Sequence, residues 1–190
     1  LIKKLSKKNN PTIVIGMDTR PSGKAIMDAI TGILDCNFIN VGISSTPCTE
    51  FAVRHYNADG GIMITASHNE PNWNGFKFLG KDGAILKPNE MQEVINNKEY
   101  LKNFYKIQQR KVLEKHNEAV EEYSNFLVST IGKESARKIK NHGQKIVIDT
   151  NGGTGIIAKN VLDKIGIPYS AINMEIGKFA RKIRNRKKTE

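Results

Sequence analysis

Between residues 11 and 65, short apolar runs alternate with stretches whose apolar residues recur every three or four positions, and a chain written that way has few folds open to it. Thr-Ile-Val-Ile-Gly at 12–16 is largely β-branched, opened by Pro11 and closed by glycine, so it reads as a buried strand. Ser22 then stands where a helix N-cap belongs, and Ile26, Ala29, Ile30, Ile33 and Leu34 make one apolar helical stripe. Residues 36–42 return as a strand. Ser45, Thr46 and Pro47 supply cap residues with proline at the first helical position, which opens a helix through about Tyr56 that displays Phe51 and Val53. Gly-Ile-Met-Ile-Thr at 61–65 is the next strand. Strand, helix, strand, helix, strand is the order of βαβ units on a parallel or mixed sheet with helices on its faces, which places the chain in the α/β class.

The rest of the chain is less strongly patterned. After a polar loop, residues 75–79 read as a further strand, and Lys81, Asp82 and Gly83 make a turn into Ala84, Ile85 and Leu86, so a hairpin is expected. Residues 89–141 are rich in Lys, Glu, Asn and Gln, with helical periodicity in Val120, Tyr123, Leu127 and Ile131, and predict helices separated by a flexible stretch. A strand at 145–149, a glycine loop at 150–155 and a helix at 156–165 then open a second α/β unit near residue 143, with 169–173 as its second strand. One βαβ unit cannot bury both its faces. The division is therefore a basic segment at 1–10, a first domain at 11–142, the start of a second at 143–177 and a basic tail at 178–190.

A net charge of +11 would ordinarily point to nucleic acid or an anionic surface, so its distribution matters. Residues 1–8 carry four lysines and residues 178–190 a net +6, which leaves +1 for everything between. Charge confined to two tails gives no footprint on a folded face and argues against nucleic acid. Binding of nucleic acid or an anionic surface through those tails, by a non-catalytic module, stands as the alternative function. No apolar run approaches the ~18 residues that span a bilayer, and no apolar segment follows the N-terminal lysines as a secretory signal requires, so a cytoplasmic chain without a membrane partner is expected. Cys36 and Cys48 are too few for a disulfide framework and read as free thiols.

Chemistry concentrates in residues 65–77, Thr-Ala-Ser-His-Asn-Glu-Pro-Asn-Trp-Asn-Gly-Phe-Lys, a polar loop between two apolar strands. Ser67 stands at the strand's exit. In open α/β sheets ligands bind beyond the carboxyl ends of the strands, so a serine there, with a neighbouring histidine and a returning lysine, is well placed for nucleophilic chemistry. From spacing alone, the same residues can simply make side-chain turns, and Trp73 reads as a packing anchor. The glycine loop has the look of a phosphate cradle but lacks a Lys-Ser/Thr ending and dinucleotide spacing, so it reads as a structural strand-to-helix turn.

The string Gly-Ile-Met-Ile-Thr-Ala-Ser-His-Asn at 61–69, followed by Asn-Gly-Phe-Lys at 74–77, closely resembles the active-serine signature of the α-D-phosphohexomutases. The resemblance continues through Gly-Met-Asp-Thr-Arg-Pro-Ser-Gly at 16–23, Thr46-Pro47, Asp-Thr-Asn-Gly-Gly-Thr-Gly at 149–155 and Gly-Lys-Phe-Ala-Arg at 177–181, nearest to archaeal members. It implies a three-layer α/β/α first domain with a mixed sheet, followed by an incomplete second unit. It implies that Ser67 carries a phosphoryl group and interconverts hexose 1- and 6-phosphates through a bisphosphate intermediate. Phosphoryl transfer is mostly positioning and charge neutralisation, so cations should converge on Ser67. Arg20 is the expected fork of donors, Lys77 a point charge or proton acceptor, and His68 a proton donor or shuttle.

The resemblance also implies parts that this sequence does not show. Members of the family are much longer and hold Mg2+ on an Asp-Gly-Asp-x-Asp-Arg loop; no two aspartates stand two apart here, so Ser67 offers at most its phosphate to the metal. The Glu-x-Ser-Gly sugar-reading loop, the C-terminal phosphate loop and the early Gly-x-x-Gly-Ile-Arg-Gly segment are not found either. The expectation is a chain truncated at both ends relative to the family and inactive alone: a truncated product, a retained fragment, or the phosphoserine half of an enzyme whose complementary chain supplies magnesium and substrate binding.

Overall fold

The computed structural model of the 190-residue chain describes residues 8–96, 111–143 and 145–180. The β-branched run expected at its start forms β1, Thr12–Met17, and the two later runs form β2, Asn37–Ile43, and β3, Gly60–Ile64, both parallel to it. β4, Phe76–Leu79, lies antiparallel to β3, and a short β5, Val112–Glu114, adds parallel to β2. The order is β4-β3-β1-β2-β5, a mixed sheet as expected. β5 was not anticipated, because three exposed residues next to a lysine-rich stretch carry no alternation to read.

Side-chain parity on these strands feeds two cores. On one face Ile13, Ile15, Phe38, Ile62 and Ile64 pack with Met27 under α1, Gly23–Ile33. On the other, Val14, Ile39 and Val41 pack with Ala52 and Val53 of α2, Thr46–His55. Helices on both faces make three layers. Beyond α3, Pro88–Asn96, the helix α4, His116–Ile131, joins the α2 side, where its Ala119 is fully buried. Cys48 is buried there too, and burial pushes its thiol up to about 12, which leaves it chemically inert near neutrality; both cysteines are free thiols. Gly16 has a packing reason. A Cβ there would come within 2.6 Å of Thr49 Oγ1 and 2.7 Å of Ser44 Oγ, so glycine lets the first turn of α2 close on the sheet.

Several local expectations need correction. Ser22 does not cap α1 with its side chain, and its hydroxyl instead accepts from Asn74 Nδ2 at 3.0 Å. The α1 stripe is borne out in part: Ile26, Ile30 and Leu34 pack on the sheet around a buried Met27, whereas Ala29 is exposed and Ile33 is 52% exposed. Pro47 is the second residue of α2, after Thr46, and Ser45 caps by accepting from the Cys48 N–H at 3.3 Å. The hairpin expected after β4 does form but is short: Leu79 pairs with Ile85, the Leu86 N–H donates to the Phe78 carbonyl at 2.9 Å and the Gly80 N–H to the Ala84 carbonyl at 2.8 Å. Trp73 is 63% exposed and anchors nothing. The flexible stretch expected between the helices of 89–141, and the ends at 1–7 and 181–190, lie outside the described residues.

After α5, Lys133–Asn141, the second unit begins with β6, Ile146–Asp149, passes through a 3-10 turn, Thr154–Ile156, into α6, Ile157–Ile165, and returns as β7, Tyr169–Ile172, parallel to β6. α6 packs against α4. As one βαβ unit must, it leaves apolar side chains uncovered, Val147 at 65% and Ile172 at 49% exposure.

Candidate functional site

β1, β2 and β3 all end on one edge of the sheet, and the segments that leave them meet there. Residues 18–20 follow β1, residues 44–46 lead from β2 into α2, and residues 65–75 connect β3 to β4. These segments line a cleft of about 570 Å³ that contains Arg20, Thr46, Ser67 and Lys77. The cleft lies beyond the carboxyl ends of parallel strands, the position where open α/β sheets bind ligands.

Ser67 is exposed and holds φ +55°, a left-handed conformation that costs a residue with a Cβ on the order of 1 kcal/mol. Surrounding groups enforce it. The Ser67 N–H donates to Thr65 Oγ1 at 3.0 Å, and that hydroxyl donates to Asp18 Oδ2 at 2.6 Å. Thr65 is tied in turn to the far end of the loop, its N–H donating to the Gly75 carbonyl at 2.9 Å. The loop is thus closed on itself and bolted to β1.

Arg20 completes that bolt. One terminal nitrogen is ion-paired with Asp18 Oδ2, and the other donates to the carbonyl oxygens of Ser67, at 3.2 Å, and Asn69, at 2.7 Å. Asp18 Oδ1 accepts from the Arg20 backbone N–H at 3.0 Å. Arg20 and Asp18 are both buried, 8% and 9% exposed, a setting in which a charged pair stands only if its hydrogen bonds are made. Arg20 Nε is buried without a partner. The structure therefore brings Arg20 to Ser67, but with its fork largely committed to the loop backbone.

Lys77 arrives by a different route. It is the second residue of β4, paired with Met63 on β3, so the two side chains share the face that α2 covers. Its Nζ donates to Thr46 Oγ1 at 3.2 Å, at the first turn of α2. That bond takes one of the ammonium's three N–H donors and leaves donor capacity within the cleft. His68 is exposed, its Nδ1 3.0 Å from Ser67 Oγ. It touches the serine without being one of the cleft's lining residues.

Sequence reasoning missed Asp18 and Thr65 as working parts, although an aspartate two residues before an arginine at a strand exit was a readable signal. It also read the glycine loop as merely structural. Thr150, Asn151 and Thr154 of that loop, with Phe179, form the second unit's side of the cleft.

A magnesium ion is implied by the resemblance, and the donors can be tested for it. Among the described residues no three His, Cys, Asp or Glu side chains converge on one point. Both oxygens of Asp18 are engaged by Arg20 and Thr65. The described residues do not form a magnesium site by themselves. No described helix is long and apolar enough to cross a membrane.

Comparison with known proteins places these observations in a family. Residues 1–103 match the family model described as phosphoglucomutase/phosphomannomutase, alpha/beta/alpha domain I. A phosphoglucomutase/phosphomannomutase of Thermococcus kodakarensis is 33% identical over 170 residues, covering 87% of this chain and 37% of that protein. A phosphoglucosamine mutase of Clostridium botulinum is 34% identical over 179 residues, again 87% of this chain and 37% of the relative. The crystal structure of a putative phosphomannomutase from Thermus thermophilus superposes with a TM-score of 0.70 at 25% identity, over 94% of this chain and 40% of that one. A phosphoglucomutase/phosphomannomutase family protein from Burkholderia thailandensis gives 0.68 at 19% identity, over 96% and 40%. The chain spans a little over a third of the length of these relatives.

Proposed function

The chain belongs to the phosphoglucomutase/phosphomannomutase family, and from that premise we propose that Ser67 carries a phosphoryl group and exchanges it with a hexose phosphate. The observation that supports this most is the posture of Ser67: an exposed hydroxyl held at φ +55° on the lip of a cleft that also contains Lys77. Strain maintained by a buried network is characteristic of residues whose placement serves chemistry.

In the transfer step a sugar hydroxyl oxygen bonds to phosphorus while the bond from phosphorus to Ser67 Oγ breaks. The leaving Oγ takes a proton, for which His68 Nδ1 at 3.0 Å is the nearest side-chain candidate, and the proton of the attacking hydroxyl passes to a base in the cleft. The reverse step, on the other phosphate of the bisphosphate, restores phosphoserine. Lys77 supplies positive charge to the equatorial oxygens, and Arg20 acts one step removed, by fixing the backbone on either side of His68.

Hexose phosphates are the substrate class suggested by the relatives' names. Magnesium, needed to neutralise the transferring group, would meet this chain only at the serine phosphate, the remaining ligands coming from outside the described residues. A complementary chain that brings those ligands would complete the enzyme.

Incubation with hexose 1,6-bisphosphate labelled in both phosphates, in the presence of Mg2+, tests the proposal. Label is expected on Ser67, to disappear in Ser67→Ala, and to be chased off by unlabelled hexose 6-phosphate. A chain that takes no label either alone or mixed with a chain that brings the remaining ligands, or that takes it elsewhere, refutes it.

A further inference from the structure

The cleft beside Ser67 is lined from both units, mostly by polar residues, and the second unit adds one aromatic ring to Thr150, Asn151 and Thr154. Its first-unit side is mostly polar, with the hydroxyls of Thr46 and Ser67 and the cations of Arg20 and Lys77. On the other side stands Phe179, the only aromatic ring among the described residues that line the cleft, and half-buried there. At about 570 Å³ the space is far larger than a phosphate requires and falls in the range of sites that enclose small organic ligands.

The backbone around Phe179 is held with care. The Gly152 N–H donates to the Asn173 carbonyl at 2.8 Å, and the Gly177 N–H donates back to the Gly152 carbonyl at 2.9 Å. The Lys178 N–H donates to the Glu175 carbonyl at 3.1 Å, closing the turn just before the ring. Gly152 has φ +71°, and a Cβ there would run into the Lys178 carbonyl oxygen. The glycine loop is thus structural in a specific sense: its lack of a side chain admits the segment that carries Phe179. The same segment rests on the first unit, since a Cβ on Gly177 would lie 3.4 Å from the Thr19 carbonyl oxygen, next to Arg20.

We propose that Phe179 is a sugar-reading residue, a platform against which the C–H face of the hexose ring lies while the phosphoryl group is held at Ser67 and Lys77. An aromatic face presents apolar area and a negative quadrupole to the weakly positive C–H bonds of a pyranose, and gains affinity that a bare phosphate cannot collect. The second unit reads the sugar; the first holds the phosphate. This inference rests on the reading of Ser67 as the phosphoryl carrier.

Calorimetric titration of the full chain with inorganic phosphate and with glucose 1-phosphate tests it, in the wild type, Phe179→Ala, Phe179→Leu and Phe179→Tyr. Phe179→Ala is expected to weaken glucose 1-phosphate about tenfold and inorganic phosphate less than twofold, with Phe179→Tyr restoring the sugar phosphate. Should circular dichroism show Phe179→Ala unfolded, Phe179→Leu, which keeps bulk without the ring, is expected to show the same selective loss. Equal weakening of both ligands, or of neither, overturns the role of Phe179. A wild type that binds neither ligand overturns the cleft reading itself, and this inference with it.

Discussion

Arg20 Nη2 lies 2.7 Å from the carbonyl oxygen of Asn69, 49 residues further along the chain. The guanidinium reaches that carbonyl while paired with Asp18, so the first strand's exit and the serine loop are one mechanical unit. What the sequence suggests as a phosphate-gripping arginine is, in the fold, first a clamp on the backbone around His68.

Arg20→Lys tests the clamp. A lysine keeps the charge but cannot serve Asp18 and two carbonyls at once. Phosphoryl transfer at Ser67 is expected to fall at least tenfold, with the loss persisting at saturating sugar phosphate. Arg20→Ala strands Asp18 as a buried unpaired carboxylate, and should cost about 3 kcal/mol in chemical denaturation. A lysine variant with unchanged transfer would show that the clamp is dispensable.

Thr65 is the narrow link between Asp18 and the Ser67 N–H. Thr65→Val keeps the shape and removes the hydroxyl, leaving a buried acceptor short of a donor, so a loss of about 1–2 kcal/mol is expected. Thr65→Ser should retain most stability and most phosphorylation of Ser67. Equal behaviour of the two variants in urea denaturation would contradict the link.

Ser67 should show the stability cost of its posture. Glycine accepts φ +55° without the Cβ penalty, so Ser67→Gly is expected to be about 1 kcal/mol more stable than Ser67→Ala, although neither can be phosphorylated there. Thermal denaturation of the pair reads this directly. Alanine as the more stable of the two would mean that the backbone is relaxed at this position.

Much of this site could be read before any coordinates, and the parts that could not share one cause. The three parallel strands announce themselves by β-branched runs, and Ser67, His68 and Lys77 by their place in the polar stretch that leads from the third of them into the next, antiparallel strand. Periodicity does not show how buried polar groups pair. Nothing local to Thr65 says that its hydroxyl meets Asp18, and Arg20 looks equally free to grip a ligand or a carbonyl. Misreadings of α1 came from the same source: Ile33 and Met27 are both apolar at plausible spacing, and only the sheet decides which is covered. Phe179 lay beyond reach, because its place in the cleft depends on two loops of the second unit interlocking.

A pH effect on stability is expected from Asp59, on the opposite edge of the sheet. Burial pushes its carboxyl up, but the Lys8 ammonium, 2.9 Å away, and the Thr12 N–H, at 3.0 Å, outweigh that and hold it below its usual value. With the folded value depressed, the unfolded chain takes up the proton first. The stabilisation is therefore complete well above the ordinary carboxyl value of ~3.9 and is lost as pH falls through the folded value. Asp59→Asn should flatten this part of the acid limb of a stability-against-pH curve; an unchanged limb would assign it to other carboxylates.

A phosphate on Ser67 would share the cleft with the ammonium of Lys77, delivered by the neighbouring strand β4. The ³¹P resonance of the chain phosphorylated at Ser67, followed against pH, tests it most directly. Positive charge from Lys77 should hold the second ionisation of the phosphate below the ~6 of a free phosphoserine, and Lys77→Met should return it toward that value. A phosphoserine that titrates identically in both proteins, at the free value, would contradict the account.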